Sequence, residues 1–155
     1  MLKYLNTDIV FQEVPDETSL AINIAGCPCR CPGCHSPQLW GDTGLPLDTQ
    51  AIDTMMATQG QSITCVCFMG GDAAPHQVAT LAAYVHLHYP RHKVAWYSGR
   101  QYLPHNLDKQ QFDYIKLGPY IAHLGPLKSS HSNQHMLKRQ PDGTFADITS
   151  RFRTR

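Results

Sequence analysis

Apolar positions along the chain fall into two rhythms. Short runs rich in β-branched and aromatic residues read as strands, at residues 8–13, 20–25, 63–69, 93–97 and 114–117. Between them lie two longer stretches with helical spacing. One starts at Asp48, a residue that caps helices well, and runs to about Gln59 with Ile52, Met55 and Met56 on one face and Gly60 past its end. The other runs from about Pro75 to Tyr89 with Val78, Leu81, Ala82 and Val85 on one face, Pro at its start and Pro90 beyond it. A weaker helical stretch surrounds residues 108–111, and residues 121–134 are polar and carry no periodic signal. Residues 136–139 and 144–148 flank Pro141-Asp142-Gly143, a hairpin signal.

Strands alternating with helices predict an α/β fold with a mostly parallel sheet and terminal hairpins. A full barrel of eight βα units takes about 250 residues. With 155 residues this chain has room for roughly half, so the expectation is an open, incomplete (βα) barrel forming a single domain over residues 1–155. Ligands of open parallel sheets bind beyond the carboxyl ends of the strands. The cysteine cluster that follows Gly26, together with Gly70-Gly71-Asp72, Ser98-Gly99 and Gly118-Pro119, sits at such strand ends, so four separate segments are predicted to meet at one rim.

A net charge of +1 gives no long-range electrostatic hold on nucleic acid or anionic membrane. No apolar run approaches the roughly 20 residues a membrane helix needs, and residues 1–8 lack the apolar stretch of a signal peptide. The chain is therefore expected in the cytoplasm, where thiols stay reduced and a disulfide framework is not the use for its six cysteines. Four of the six, Cys27, Cys29, Cys31 and Cys34, fall within eight residues. Packing does not require that density, and metal binding does. The loop from 27 to 47 is long for a compact domain, and such loops are usually functional.

Cys27, Cys31 and Cys34 have the spacing C-x-x-x-C-x-x-C. Closely spaced thiolates in a Gly- and Pro-bent loop suit an iron–sulfur cube, and three ligands leave one iron open to a substrate. Two other readings stand beside it: a structural zinc site using all four clustered cysteines, and a set of buried or redox-active thiols. Cys65 and Cys67 lie two apart on one predicted strand, facing the same way, and are read as core.

Taken with a Gly-Gly-acidic turn after the next strand, the cysteine spacing resembles the radical S-adenosylmethionine enzymes. More narrowly, the chain resembles the activating proteins of anaerobic (class III) ribonucleoside-triphosphate reductase. The segments that carry the resemblance are residues 6–10, 26–37, 67–72, 96–100, 113–120 and 132–134. It implies that Cys27, Cys31 and Cys34 hold three irons of a 4Fe–4S cluster and that S-adenosylmethionine chelates the fourth. An external donor such as flavodoxin or ferredoxin then supplies an electron. The molecule is cleaved to methionine and a 5′-deoxyadenosyl radical, which takes hydrogen from a glycine of the large reductase subunit and leaves a glycyl radical there.

The resemblance also assigns contacts to S-adenosylmethionine. Gly70 and Gly71 let the backbone approach its amino group, Asp72 adds an acceptor, and Ser98 reaches its ribose or carboxylate. No catalytic acid or base is implied. Two positions depart from the family pattern. The residue before the third cysteine is commonly aromatic and here is Gly33, which leaves the adenine to another group such as His35; the turn acid is often Glu and here is Asp72. By their residues alone, Gly70-Gly71-Asp72 reads equally as a plain strand-to-helix turn and Ser98-Gly99-Arg100 as a strand-end turn; Lys116, Gly118 and Pro119 end the fourth strand and shape the rim, and Asn133 and Gln134 contact the partner, close the site or serve the loop alone. Two other functions compete: a radical enzyme acting on a small molecule, and a non-enzymatic zinc or iron–sulfur binding module.

Overall fold

A computed structural model of the chain describes residues 2–26, 44–121, 123–125, 127, 129 and 132–152. Cys27, Cys29, Cys31, Cys34, Gly33 and His35 lie outside the described residues.

Among the described residues, eight strands form one sheet. They are β1 (Lys3–Val10), β2 (Ser19–Ile24), β3 (Leu45–Pro46), β4 (Cys65–Met69), β5 (Lys93–Tyr97), β6 (Tyr114–Leu117), β7 (His135–Arg139) and β8 (Phe145–Asp147), with helices α1 (Thr49–Gln59) and α2 (Pro75–His88) between strands. The order across the sheet is β3-β1-β2-β4-β5-β6-β7-β8, so β3 and β8 are open edges and the sheet does not close. The four central strands β2, β4, β5 and β6 are parallel, whereas β1 and β3 on one side and β7 and β8 on the other are antiparallel. Three pairings of seven are thus parallel, which corrects the expected mostly parallel sheet. Each parallel pairing needs a crossover of a dozen residues or more; the chain makes three, and antiparallel strands flank them on both sides, β1 and β3 beside β2 and β7 and β8 beside β6. The last crossover, between β5 and β6, contains only the 3-10 turn Lys109–Gln111 where a weak helix was expected.

Strand β1 begins five residues earlier than the sequence pattern suggests. Its polar residues are held by cross-strand side-chain bonds: Asn23 Nδ2 donates to Asn6 Oδ1 at 2.6 Å and to Asp8 Oδ2 at 3.2 Å. Helix α1 starts as expected, with Asp48 Oδ1 accepting from the Ala51 amide at 2.9 Å. Its end differs. Gly60 keeps right-handed backbone (φ −57°) and leads into the 3-10 turn Gly60–Ser62. The hydroxyls of Tyr84 on α2 and of Tyr89 just beyond it both donate to Asp53 of α1, which ties the two helices together. The C-terminal hairpin forms as read, with Gly143 at φ 89° in its turn.

Both helices lie on one face of the sheet. Leu20, Ile22, Ile24, Val66, Phe68, Val94, Trp96 and Ile115 point from the strands into Ile52 of α1 and Val78, Ala82 and Val85 of α2. Among the described residues, no α-helix lies on the opposite face. There Cys65, Cys67, Ala95, Tyr114 and Met136 are covered by Val14 and Leu127 from loops, with Phe152 packed alongside. No helix among the described residues is long and apolar enough to cross a membrane.

Phe68 is fully buried where the sheet meets the helix layer. Phe68→Ala is expected to cost about 3–5 kcal/mol of unfolding free energy, read by urea denaturation. A loss under about 1 kcal/mol, the scale of surface changes, would mean the helices are not seated there.

Candidate functional site

Parallel register aligns the carboxyl ends of the central strands, with Asn23 beside Met69, Met69 beside Tyr97, and Tyr97 beside Lys116. The chain leaves β2, β4 and β6 through glycines that turn it sharply. Gly26, Gly70, Gly71 and Gly118 have φ of 76°, 108°, 89° and 109°, conformations that favour glycine. At Gly71 space is limiting as well: a Cβ there would sit 2.5 Å from Cγ2 of Val78. Of the four segments expected to meet there, Gly70-Gly71-Asp72, Ser98-Gly99 and Gly118-Pro119 follow the ends of the adjacent strands β4, β5 and β6; the fourth, the cysteine cluster, follows Gly26 in the sequence and lies outside the described residues.

Side chains knit the rim together. Asp72 is buried, and its two oxygens accept from the Ser98 hydroxyl at 2.5 Å and the Gly99 amide at 2.9 Å. Ser98 Oγ also accepts from the Arg100 amide at 3.1 Å. Lys116 is buried, and its Nζ donates to the carbonyls of Ser98 and Gly118 at 2.9 and 3.0 Å while lying 5.4 Å from the centre of the Tyr97 ring. Gln134 Nε2 reaches the Gly118 carbonyl at 3.4 Å, and Asn133 Nδ2 donates to the Pro119 carbonyl at 3.0 Å. Asp72 and Ser98, read from sequence as contacts for a bound molecule, are thus bonded to each other and brace the turn after β4 against the loop after β5. Asn133 and Gln134 fasten the loop after β6.

One participant was not visible in the sequence. Trp96 reads there as an apolar strand residue, yet its indole Nε1 donates to the Gly70 carbonyl at 2.6 Å. Lys116 did leave a signal, as a charge inside the otherwise apolar run Tyr114-Ile115-Lys116-Leu117.

Cys65 and Cys67 are core residues, as expected: both are fully buried on β4, and the Cys67 thiol faces Met69 Sδ at 3.4 Å. Burial pushes the Cys65 thiol up to about 12 and raises that of Cys67 well above its ordinary value. Both stay protonated near neutral pH, and a protonated thiol is a poor metal ligand. Among the described residues, no group of three or more His, Cys, Asp and Glu side chains converges to hold a metal ion. A surface groove of about 420 Å³ lined by Leu47, Asp48, Thr49, Gln77, Thr80 and Leu81 lies on the helix layer, and none of the rim residues lines it.

Residues 18–134 match the family described as a 4Fe-4S single cluster domain. The chain belongs to that family. As a 4Fe-4S single cluster domain, it has its matched span running from just before β2, through the cysteine loop, to Gln134 at the rim. No curated protein and no solved structure matches the chain. Membership makes it an iron–sulfur protein and favours the iron–sulfur reading of the clustered cysteines over zinc.

Two outcomes follow from this geometry. With Cys27, Cys29, Cys31 and Cys34 all replaced by Ala, the native protein should react with no thiol reagent at pH 8 and release two reactive thiols, Cys65 and Cys67, on unfolding. Labelling before unfolding would show that the β4 thiols are accessible. Asp72→Ala, which strips acceptors from the Ser98 hydroxyl and Gly99 amide, should cost about 1–3 kcal/mol in urea denaturation without cluster or ligand. Unchanged stability would mean that the carboxylate braces nothing.

Proposed function

We propose that this 4Fe-4S domain is a radical S-adenosylmethionine enzyme that activates anaerobic ribonucleoside-triphosphate reductase by placing a glycyl radical on its large subunit. The observation supporting the proposal is that Gly26, which the C-x-x-x-C-x-x-C segment follows in the sequence, lies at the same end of the parallel strands as Gly70, Gly71 and Asp72.

The donor set fits the cluster. Iron–sulfur cubes are held by thiolates, and Cys27, Cys31 and Cys34 lie within eight residues of one loop inside the matched family span. Both remaining cysteines outside that loop are buried with raised thiol pKa values. When bound, the cluster supplies the electron that splits the sulfonium of S-adenosylmethionine.

The chain itself contributes position and shelter. Gly70 and Gly71 bring main chain, unobstructed by side chains, to the rim. Asp72, Ser98 and Lys116 hold the loops after β4, β5 and β6 at fixed separations. Gly33 and His35 are the residues proposed beside the adenine. No proton has to be moved by a side chain, which agrees with a rim built from backbone, amide and bracing groups. A glycine loop of the large reductase subunit is the proposed target, and flavodoxin or ferredoxin is the proposed electron donor. A second reading, an iron–sulfur binding module without enzymatic activity, is supported by the family description, which names the cluster domain alone.

The test starts with oxygen-free, cluster-loaded, reduced protein and added S-adenosylmethionine. Formation of 5′-deoxyadenosine is expected, with its abolition in Cys31→Ser. Adding the reductase should give a glycyl radical signal by electron paramagnetic resonance. Full activity of Cys31→Ser would overturn the ligand assignment. Iron loading without cleavage, even with reductase present, would leave the binding module.

A further inference from the structure

We propose that Trp96 is a positioning residue whose indole sets the plane of the Gly70–Gly71 peptide, and with it the direction in which the turn after β4 offers its backbone to a molecule at the rim. The inference rests on the reading above, that this molecule is S-adenosylmethionine.

The turn cannot hold its own shape. Gly70 and Gly71 are adjacent, both have positive φ, and glycine rotates with little steric cost. What fixes the plane comes from neighbouring strands and side chains. Gly70 N–H donates to the Tyr97 carbonyl at 3.0 Å, and the Gly70 carbonyl takes the Trp96 indole N–H at 2.6 Å. Trp96 is itself immobilised. It is 1% exposed in the core beneath the helices and stacks on Phe112, with ring centroids 5.3 Å apart and planes 25° from parallel. A rigid donor therefore grips a flexible peptide.

Direction follows from peptide geometry. The peptide is trans, so the Gly70 carbonyl and the Gly71 N–H point opposite ways. With the carbonyl drawn toward Trp96 in the helix-covered core, the Gly71 N–H is aimed away from that layer. The Gly71 carbonyl accepts from the Ala74 amide at 3.0 Å, in the turn that starts α2. A molecule at the rim thus meets a donor with a set direction. Losing the indole N–H frees the plane to rotate, and the molecule must then fix it on binding.

The decisive comparison is Trp96→Phe against Phe112→Leu, both cluster-loaded without oxygen. Trp96→Phe keeps an aromatic ring but removes the N–H. It should raise KM for S-adenosylmethionine about tenfold, the scale of one lost hydrogen bond to a buried carbonyl, with kcat within about twofold. The Kd for S-adenosylhomocysteine, measured by calorimetry, should weaken by the same factor. Phe112→Leu loosens the stack yet keeps the N–H; it should lower thermal stability and weaken KM and Kd far less than Trp96→Phe does. Should Trp96→Phe not fold, benzothienylalanine at position 96 supplies the indole shape without the N–H, and the same shifts are expected. An unchanged Kd in the variant lacking the N–H overturns the proposal, as does an equal loss in Phe112→Leu. Failure of the functional reading shows differently: wild-type protein that neither binds nor cleaves the molecule, which removes this inference with it.

Discussion

Parallel pairing of β2, β4, β5 and β6 is the constraint on which the rest of the molecule depends. Strands paired this way must all end at the same edge, and each needs a long crossover to return the chain to its start. The crossovers through α1 and α2 lie on one face and build the helix-side core. The same constraint delivers Gly26, Met69-Gly70, Tyr97-Ser98 and Leu117-Gly118 to a common rim. Gly26, which the cysteine cluster follows in the sequence, is thereby brought beside three other strand ends.

A rim made of strand ends has a backbone problem. Ladder bonding stops there, while the carbonyls and amides remain sheltered, and sheltered polar groups need partners. Side chains from adjacent strands provide them. Lys116 takes the Ser98 and Gly118 carbonyls, Trp96 takes the Gly70 carbonyl, and Asp72 takes the Gly99 amide with the Ser98 hydroxyl. All of these bonds except the one from Lys116 to Gly118, which stays within the end of β6, also join two strand ends. Satisfying the backbone and fixing the spacing of the loops are one act here, which explains a buried lysine and a buried aspartate beside a nearly apolar core.

Much of this was legible in the sequence. Helices α1 and α2 announce themselves through Asp48, Pro75 and the spacing of Ile52, Val78, Leu81 and Val85. Strands β4, β5 and β6 are apolar runs stopped by glycine or serine. The convergence of four turns on one edge follows once those strands are taken as parallel. Strand β1 was misplaced because its polar half, Asn6-Thr7-Asp8, lacks an apolar rhythm; its support is the amide of Asn23, seventeen positions away from Asn6. The balance of parallel and antiparallel pairing was misjudged because a terminal hairpin and a further crossover unit look alike until the partner strand is known. Within the site, glycines and the acidic turn were readable, but the partners of Asp72 were not. A carboxylate bonded to a neighbouring serine and one aimed at a ligand have the same sequence signature, and only the register Met69↔Tyr97 brings Ser98 to Asp72.

The rim also shows why flexible residues sit where order is needed. Gly71 admits no Cβ against Val78, and its φ excludes most side chains. Glycine is thus required at the turn, and it brings a freedom of rotation that a binding edge cannot tolerate. The compensating rigidity has to come from residues that lack such freedom. Trp96 is suited to this because its ring is fixed by the core on all sides and presents a single donor, so the packing of the helix layer is transmitted to one peptide plane at the rim. Stability of the core and geometry of the site are coupled through that bond: the helices that bury Trp96 hold the turn as well.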